Sequence, residues 1–75
     1  MDAPLYLDLK GLNCPLPALR TAKALRALAS GSLVIVEATD PMAAIDIPHV
    51  CREQGHQLVA TEKDGPILRF TIARG

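Results

Sequence analysis

Seventy-five residues suffice for one domain, from residue 1 to 75, with one small core near the size at which stability is marginal. Apolar residues make up 49% of the chain but aromatics only 3%, so the core has to be assembled from Leu, Ile, Val and Ala, as in a sheet covered on one face by helices. Basic and acidic side chains number 8 each and cancel to a formal charge of zero, which argues against general nucleic-acid binding, where a strongly basic domain is the rule.

In chain order, Leu5-Tyr6-Leu7-Asp8-Leu9 alternates with period two, Leu5, Leu7 and Leu9 sharing one face, and predicts a half-buried strand. Lys10-Gly11 breaks it. A helix is expected from Pro15 to Ala29, with Leu16, Leu19, Ala22, Leu25 and Ala29 inward and Arg20, Lys23 and Arg26 outward; Ser30-Gly31 supplies the stop. Leu33-Val34-Ile35-Val36-Glu37-Ala38 reads as a strand flanked on both sides. Thr39-Asp40-Pro41 is a helix-start signature with Asp40 as cap. Pro48 forbids one unbroken helix from there, so a short turn through Met42-Ala43-Ala44 is expected, followed by a helix capped by Asp46 and running from Ile47 to Gln54. Its inward face is Ile47, Val50 and Cys51; His49, Arg52 and Glu53 point out, and Gly55 ends it in the left-handed conformation. Gln57–Glu62 and Ile67–Ile72 form a hairpin around Asp64-Gly65, the last strand being taken as an edge that tolerates mixed faces. The order βαβαββ implies a two-layer α/β sandwich: a four-stranded mixed sheet with two helices on one face.

The stretch Gly11-Leu12-Asn13-Cys14-Pro15-Leu16-Pro17 sets a thiol at the start of the first helix. Proline is tolerated there because the early N–H groups have no intrahelical acceptor. With Cys14 as N-cap, its sulfur accepts from Leu16, since Pro17 has no N–H; with Asn13 as cap, Cys14 occupies the first helical position. Either way the positive helix end is expected to lower the thiol pKa. Cys-Pro-Leu-Pro is not a Cys-x-x-Cys dithiol, and a lone activated thiol can carry a group covalently, sulfane sulfur included.

Cys51 falls on an apolar helix face and reads as a packing residue. A metal site from Cys14, His49, Cys51 and His56 fails because His49 and Cys51 face different ways on one helix, and zinc needs three or four convergent ligands. His56 is expected to support the chain reversal. Asp40 and Asp46 are explained by capping, with a secondary role in shaping the loop near the thiol. The stripe Arg20, Lys23, Arg26 flanks the thiol and is a candidate docking surface for an acidic partner. Met1-Asp2-Ala3-Pro4 lacks the basic and apolar regions of a signal peptide and no stretch approaches a membrane span, so a cytoplasmic location is expected, where a Cys14–Cys51 disulfide is a poor default.

Taken together, the Cys14-Pro15-Leu16-Pro17 motif, Thr39-Asp40-Pro41 and Asp46-Ile47-Pro48-His49-Val50-Cys51 resemble the TusA/SirA-like sulfur carrier family across nearly the whole chain. The resemblance implies a sandwich similar to the C-terminal domain of translation initiation factor three. It implies that Cys14 accepts sulfane sulfur as a persulfide from a cysteine desulfurase or rhodanese-type donor and hands it to an acceptor protein. Such a protein is a covalent carrier rather than a stand-alone turnover enzyme. No cofactor, metal, membrane or direct nucleic-acid partner is implied. The pathways served in the family are tRNA 2-thiouridine synthesis, molybdenum cofactor assembly and sulfur oxidation. Two rivals stand beside this reading: a non-catalytic RNA-binding or regulatory module, and a thiol redox protein cycling between Cys14 and Cys51.

Overall fold

The computed structural model describes residues 3–75; Met1 and Asp2, part of the segment read above for targeting signals, lie outside them. The elements follow as β1 (Leu5–Leu9), α1 (Leu16–Arg26), β2 (Leu33–Ala38), α2 (Ala43–Gln54), β3 (Gln57–Asp64) and β4 (Ile67–Ala73). The sheet order is β1-β2-β4-β3, with β1 and β2 parallel and the other neighbours antiparallel. The register puts Leu5, Val34 and Ile72 in one row, Leu7, Val36 and Phe70 in the next, and Leu9, Ala38 and Leu68 in the third. Because side chains alternate with period two, these rows form one apolar face. Leu25 of α1 and Ala43, Ile47 and Cys51 of α2 pack onto it in a single core cluster. This is the expected α/β two-layer sandwich, with no helix long and apolar enough to cross a membrane among the described residues.

The last strand departs from expectation. β4 is interior, between β2 and β3, and Phe70 and Ile72 are fully buried; the edges are β1 and β3. The hairpin turns back to insert its more apolar arm beside β2. That leaves Glu62, Lys63 and Asp64 on the outside, where charges and the register shift between Leu58 and Ala60 discourage edge pairing.

The opposite sheet face is uncovered and held by Glu37. Its carboxylate accepts from the Tyr6 hydroxyl, from Lys10 Nζ at 3.1 Å and from Arg69 Nε at 2.7 Å. These donors push the Glu37 pKa down to about 2.

Both helices differ from their sequence reading. α1 is shorter, ending at Arg26, and it buries Pro17, Ala18, Thr21, Ala22 and Leu25, while Leu16 and Leu19 are exposed, Leu19 by 59%. The buried set has the i, i+3, i+4, i+7 spacing, so the chain carries two overlapping stripes. The stripe that wins has small residues, which let the helix lie close to the sheet; Thr21 is admitted because its hydroxyl donates to the Pro17 carbonyl at 2.7 Å. α2 begins at Ala43 rather than Ile47 and contains Pro48 in its interior. Asp46 is therefore not an N-cap but a first-turn residue. Ile47 and Cys51 face the core, His49, Arg52 and Glu53 are exposed, and Gly55 terminates the helix at φ 75°, as expected.

Candidate functional site at the helix tips

The parallel pairing of β1 and β2 brings the loop after each strand to the same end of the sheet, and α1 and α2 both start there. Cys14 sits in the first of these loops, exposed and free; its peptide bond to Pro15 is cis. Two carboxylates from the second loop and α2 hold it. The Cys14 backbone N–H donates to Asp40 Oδ2 at 2.6 Å, and the Cys14 Sγ–H donates to Asp46 Oδ2 at 3.0 Å. Asp40 keeps a capping role as well: its Oδ1 accepts from the Met42 N–H at 2.9 Å and its carbonyl from the Ala43 N–H at 3.0 Å. These backbone donors hold the Asp40 carboxyl below its usual range. A further link, from the Gly11 N–H to Thr39 Oγ1 at 2.9 Å, ties the two loops together.

This geometry corrects the expected activation of the thiol. The hydrogen bond to Asp46 pushes the Cys14 pKa up, with burial and the charges of Asp46 and Asp40 adding to it. The positive helix end has fewer free N–H groups here than an ordinary helix start. Helix-end charge resides on N–H groups without partners. Pro15 and Pro17 have no N–H, and the Leu16 N–H donates to the Asn13 carbonyl at 2.9 Å rather than to sulfur. Pro15 is the N-cap of α1 and contributes no side-chain hydrogen bond, so neither Cys14 nor Asn13 has the capping role considered for it. Asn13 and Pro15 are exposed beside the thiol, and Pro17 is buried under the helix.

Arg20, Lys23 and Arg26 are all exposed on α1, consistent with a surface stripe. Cys51 is buried in the core, where burial pushes its thiol pKa up; it is free, like Cys14, so the two form no disulfide. His49 is exposed, with Nε2 3.9 Å from Glu53, and His56 Nδ1 accepts from the Gly75 N–H at 3.0 Å, which ties the chain reversal after α2 to the C-terminus.

Two features escaped the sequence reading. One is an apolar rim: Leu16 and Leu19 on the first turns of α1, Met42 just before α2 and Ile45 within it are all exposed, Ile45 by 62%. Hydrophobicity alone assigns such leucines to the core. The other is the bond from Cys14 to Asp46. Its only signal was the pairing of two strand–loop–helix units, which sets the loop after each strand at one end of a parallel pair. Two surface depressions, of about 460 and 290 Å³, are lined by other residues, and Cys14 itself is exposed.

The relatives of the chain are named for sulfur transfer and sulfur carriage. Residues 5–74 match the family described as sulfurtransferase TusA. The sulfur carrier protein TusA of Allochromatium vinosum is 40% identical over 68 residues, covering 91% of this chain and 90% of that protein. YrkI of Bacillus subtilis, a candidate sulfur carrier protein, is 41% identical over the full length of both chains. YrkF of the same organism, named likewise, is 36% identical over 75 residues, but the chain spans only 40% of its length. A crystal structure of a SirA-like protein from Desulfitobacterium hafniense superposes with a TM-score of 0.83 at 29% identity, covering 95% of this chain and 97% of that one. With nearly every residue matched and the same sandwich beneath it, the chain belongs to the TusA family of sulfur carriers.

Proposed function

We propose that this protein carries sulfane sulfur as a persulfide on Cys14, between a donor protein and an acceptor protein. The observation that carries the reading is the exposed, free sulfur at the tip where both helices begin, in a chain of this family. Loading begins when Cys14 loses its proton to solvent. The thiolate bonds to the outer sulfur of the donor's persulfide, and the bond between the donor's two sulfurs breaks, its electron pair leaving on the donor cysteine. Delivery repeats the exchange in the other direction: an acceptor thiolate bonds to the outer sulfur and Cys14 departs as thiolate. One sulfur atom moves and no net oxidation occurs, so the exchange balances without a cofactor.

The donor is a cysteine desulfurase or a rhodanese-type protein, and the acceptor is a further relay protein. Among the pathways of such relays, tRNA 2-thiouridine synthesis is the reading we favour, ahead of molybdenum cofactor assembly and sulfur oxidation. Docking uses the exposed Leu16, Leu19, Met42 and Ile45 with the stripe Arg20, Lys23 and Arg26 at their side. An apolar centre with a charged margin is the usual composition of a protein–protein contact. Incubation with a cysteine desulfurase and cysteine, followed by intact-mass and peptide mass spectrometry, tests the reading. The wild-type protein and Cys51→Ser gain one sulfur atom on the Cys14 peptide, and Cys14→Ser gains none. A wild-type protein that stays unloaded with active desulfurase and rhodanese donors overturns it.

A further inference from the structure

An exposed thiol is open to every oxidant and electrophile in solution, and thiolate is its reactive form. The tip of this molecule pairs that exposure with an acceptor aimed at the sulfur. Asp46 Oδ2 lies 3.0 Å from Cys14 Sγ, within hydrogen-bond distance of the thiol, while Asp40 fixes the backbone of the same residue at 2.6 Å. We propose that Asp46 is a positioning residue that holds Cys14 as a protonated, hydrogen-bonded thiol in the free protein, so that sulfur exchange at this tip starts only when that bond is broken. This inference rests on the carrier reading above.

The charged groups around the sulfur support it from each element in contact. From α2 comes Asp46, and from the turn before it Asp40; both disfavour a second negative charge on Cys14. From the loop after β1, Lys10 is committed elsewhere, its Nζ bonded to Glu37 at 3.1 Å and to the Tyr6 hydroxyl at 3.3 Å. From α1, Arg20 and Lys23 are exposed and neither forms an ion pair among the described residues. No cation of the described residues offsets the two carboxylates at the sulfur. In the exchange the Sγ–H bond breaks and its proton passes to solvent. The proton does not rest on the carboxylate, because a carboxylate is far too weak a base to keep a thiol proton. Asp46 therefore restrains the thiol rather than acting as a general base.

The test is the rate of Cys14 alkylation by iodoacetamide as a function of pH, read on the Cys14 peptide of the full chain. The wild-type midpoint is expected above the ordinary thiol value of about 8.5. Asp46→Asn and Asp46→Ala bring it down toward that value. The alkylation rate at neutral pH then rises severalfold, by less than the thiolate fraction does, because nucleophilicity falls with pKa. A merely structural Asp46 would change the melting temperature and leave the profile in place. A wild-type midpoint at or below the ordinary value overturns the inference whether or not the variants fold. Folded variants with the wild-type profile overturn it too. Alkylation needs no sulfur donor, so these outcomes are independent of the loading experiment: a chain that loads sulfur with an unperturbed thiol keeps the carrier reading and loses this one.

Discussion

The two cysteines sit on the same helical layer and answer to opposite physics. Cys51 lies 2% exposed on the inner face of α2, against the sheet; its pKa is raised first by burial, and its sulfur serves as a small apolar group. Cys14 is exposed at the tip, and its pKa is raised first by one hydrogen bond to Asp46. Both thiols are held back from ionising, but only one restraint can be lifted without unfolding. Releasing Cys51 means opening the core; releasing Cys14 means turning one carboxylate away. On the proposed carrier reading, that difference keeps the reactive atom safe when free and available when docked.

The largest test of this contrast is selective labelling. In the native protein Cys14 is alkylated while Cys51 waits for opening of the core, so Cys51 reacts slower by about a thousandfold or more if opening costs the stability of an ordinary small domain. Time-resolved peptide mass spectrometry reads both sites in one sample, and comparable rates would break the contrast. Next comes Ile47→Ala, which removes a fully buried side chain from the face that carries Cys51. It is expected to cost about 2–5 kcal/mol in denaturant unfolding. Cys51 labelling accelerates accordingly, and the pH midpoint of Cys14 stays where it was. A matching shift at Cys14 would mean that the tip and the core are one cooperative unit. The smallest effect is in alkaline stability. The raised Cys51 pKa means that the unfolded chain ionises first and binds fewer protons, so stability falls as pH rises above about 8.5. Thermal melts of Cys51→Ala over the same range should fall less steeply than those of the wild type.

Local patterning made most of the fold legible. β1 and β2 have the bounds their apolar runs indicate, the hairpin turns where Asp64-Gly65 stands, and Gly55 ends α2. The place of Cys14 at a helix start was legible too, because prolines directly after it leave little else. The failures share one cause, which is that local pattern does not say which neighbour a face will meet. Leu16 and Leu19 look like core residues until α1 settles on Ala18, Thr21, Ala22 and Leu25. Ile67–Ala73 looks like an edge until the hairpin inserts it beside β2. Asp46 looks like a cap until α2 extends back to Ala43.

What the amino-acid order determined alone is the set of elements and the placing of a thiol at a helix start, since both follow from periodicity and from proline's missing N–H. The chemical state of that thiol was decided by the tertiary structure. Asp46 lies 32 positions from Cys14 in the chain and reaches its sulfur only because β1 and β2 run parallel and bring their following loops together. A neighbour at 3.0 Å acts on a proton more strongly than a helix end that two prolines and a bonded Leu16 N–H have depleted of donors. A position expected to lower the thiol pKa raises it instead.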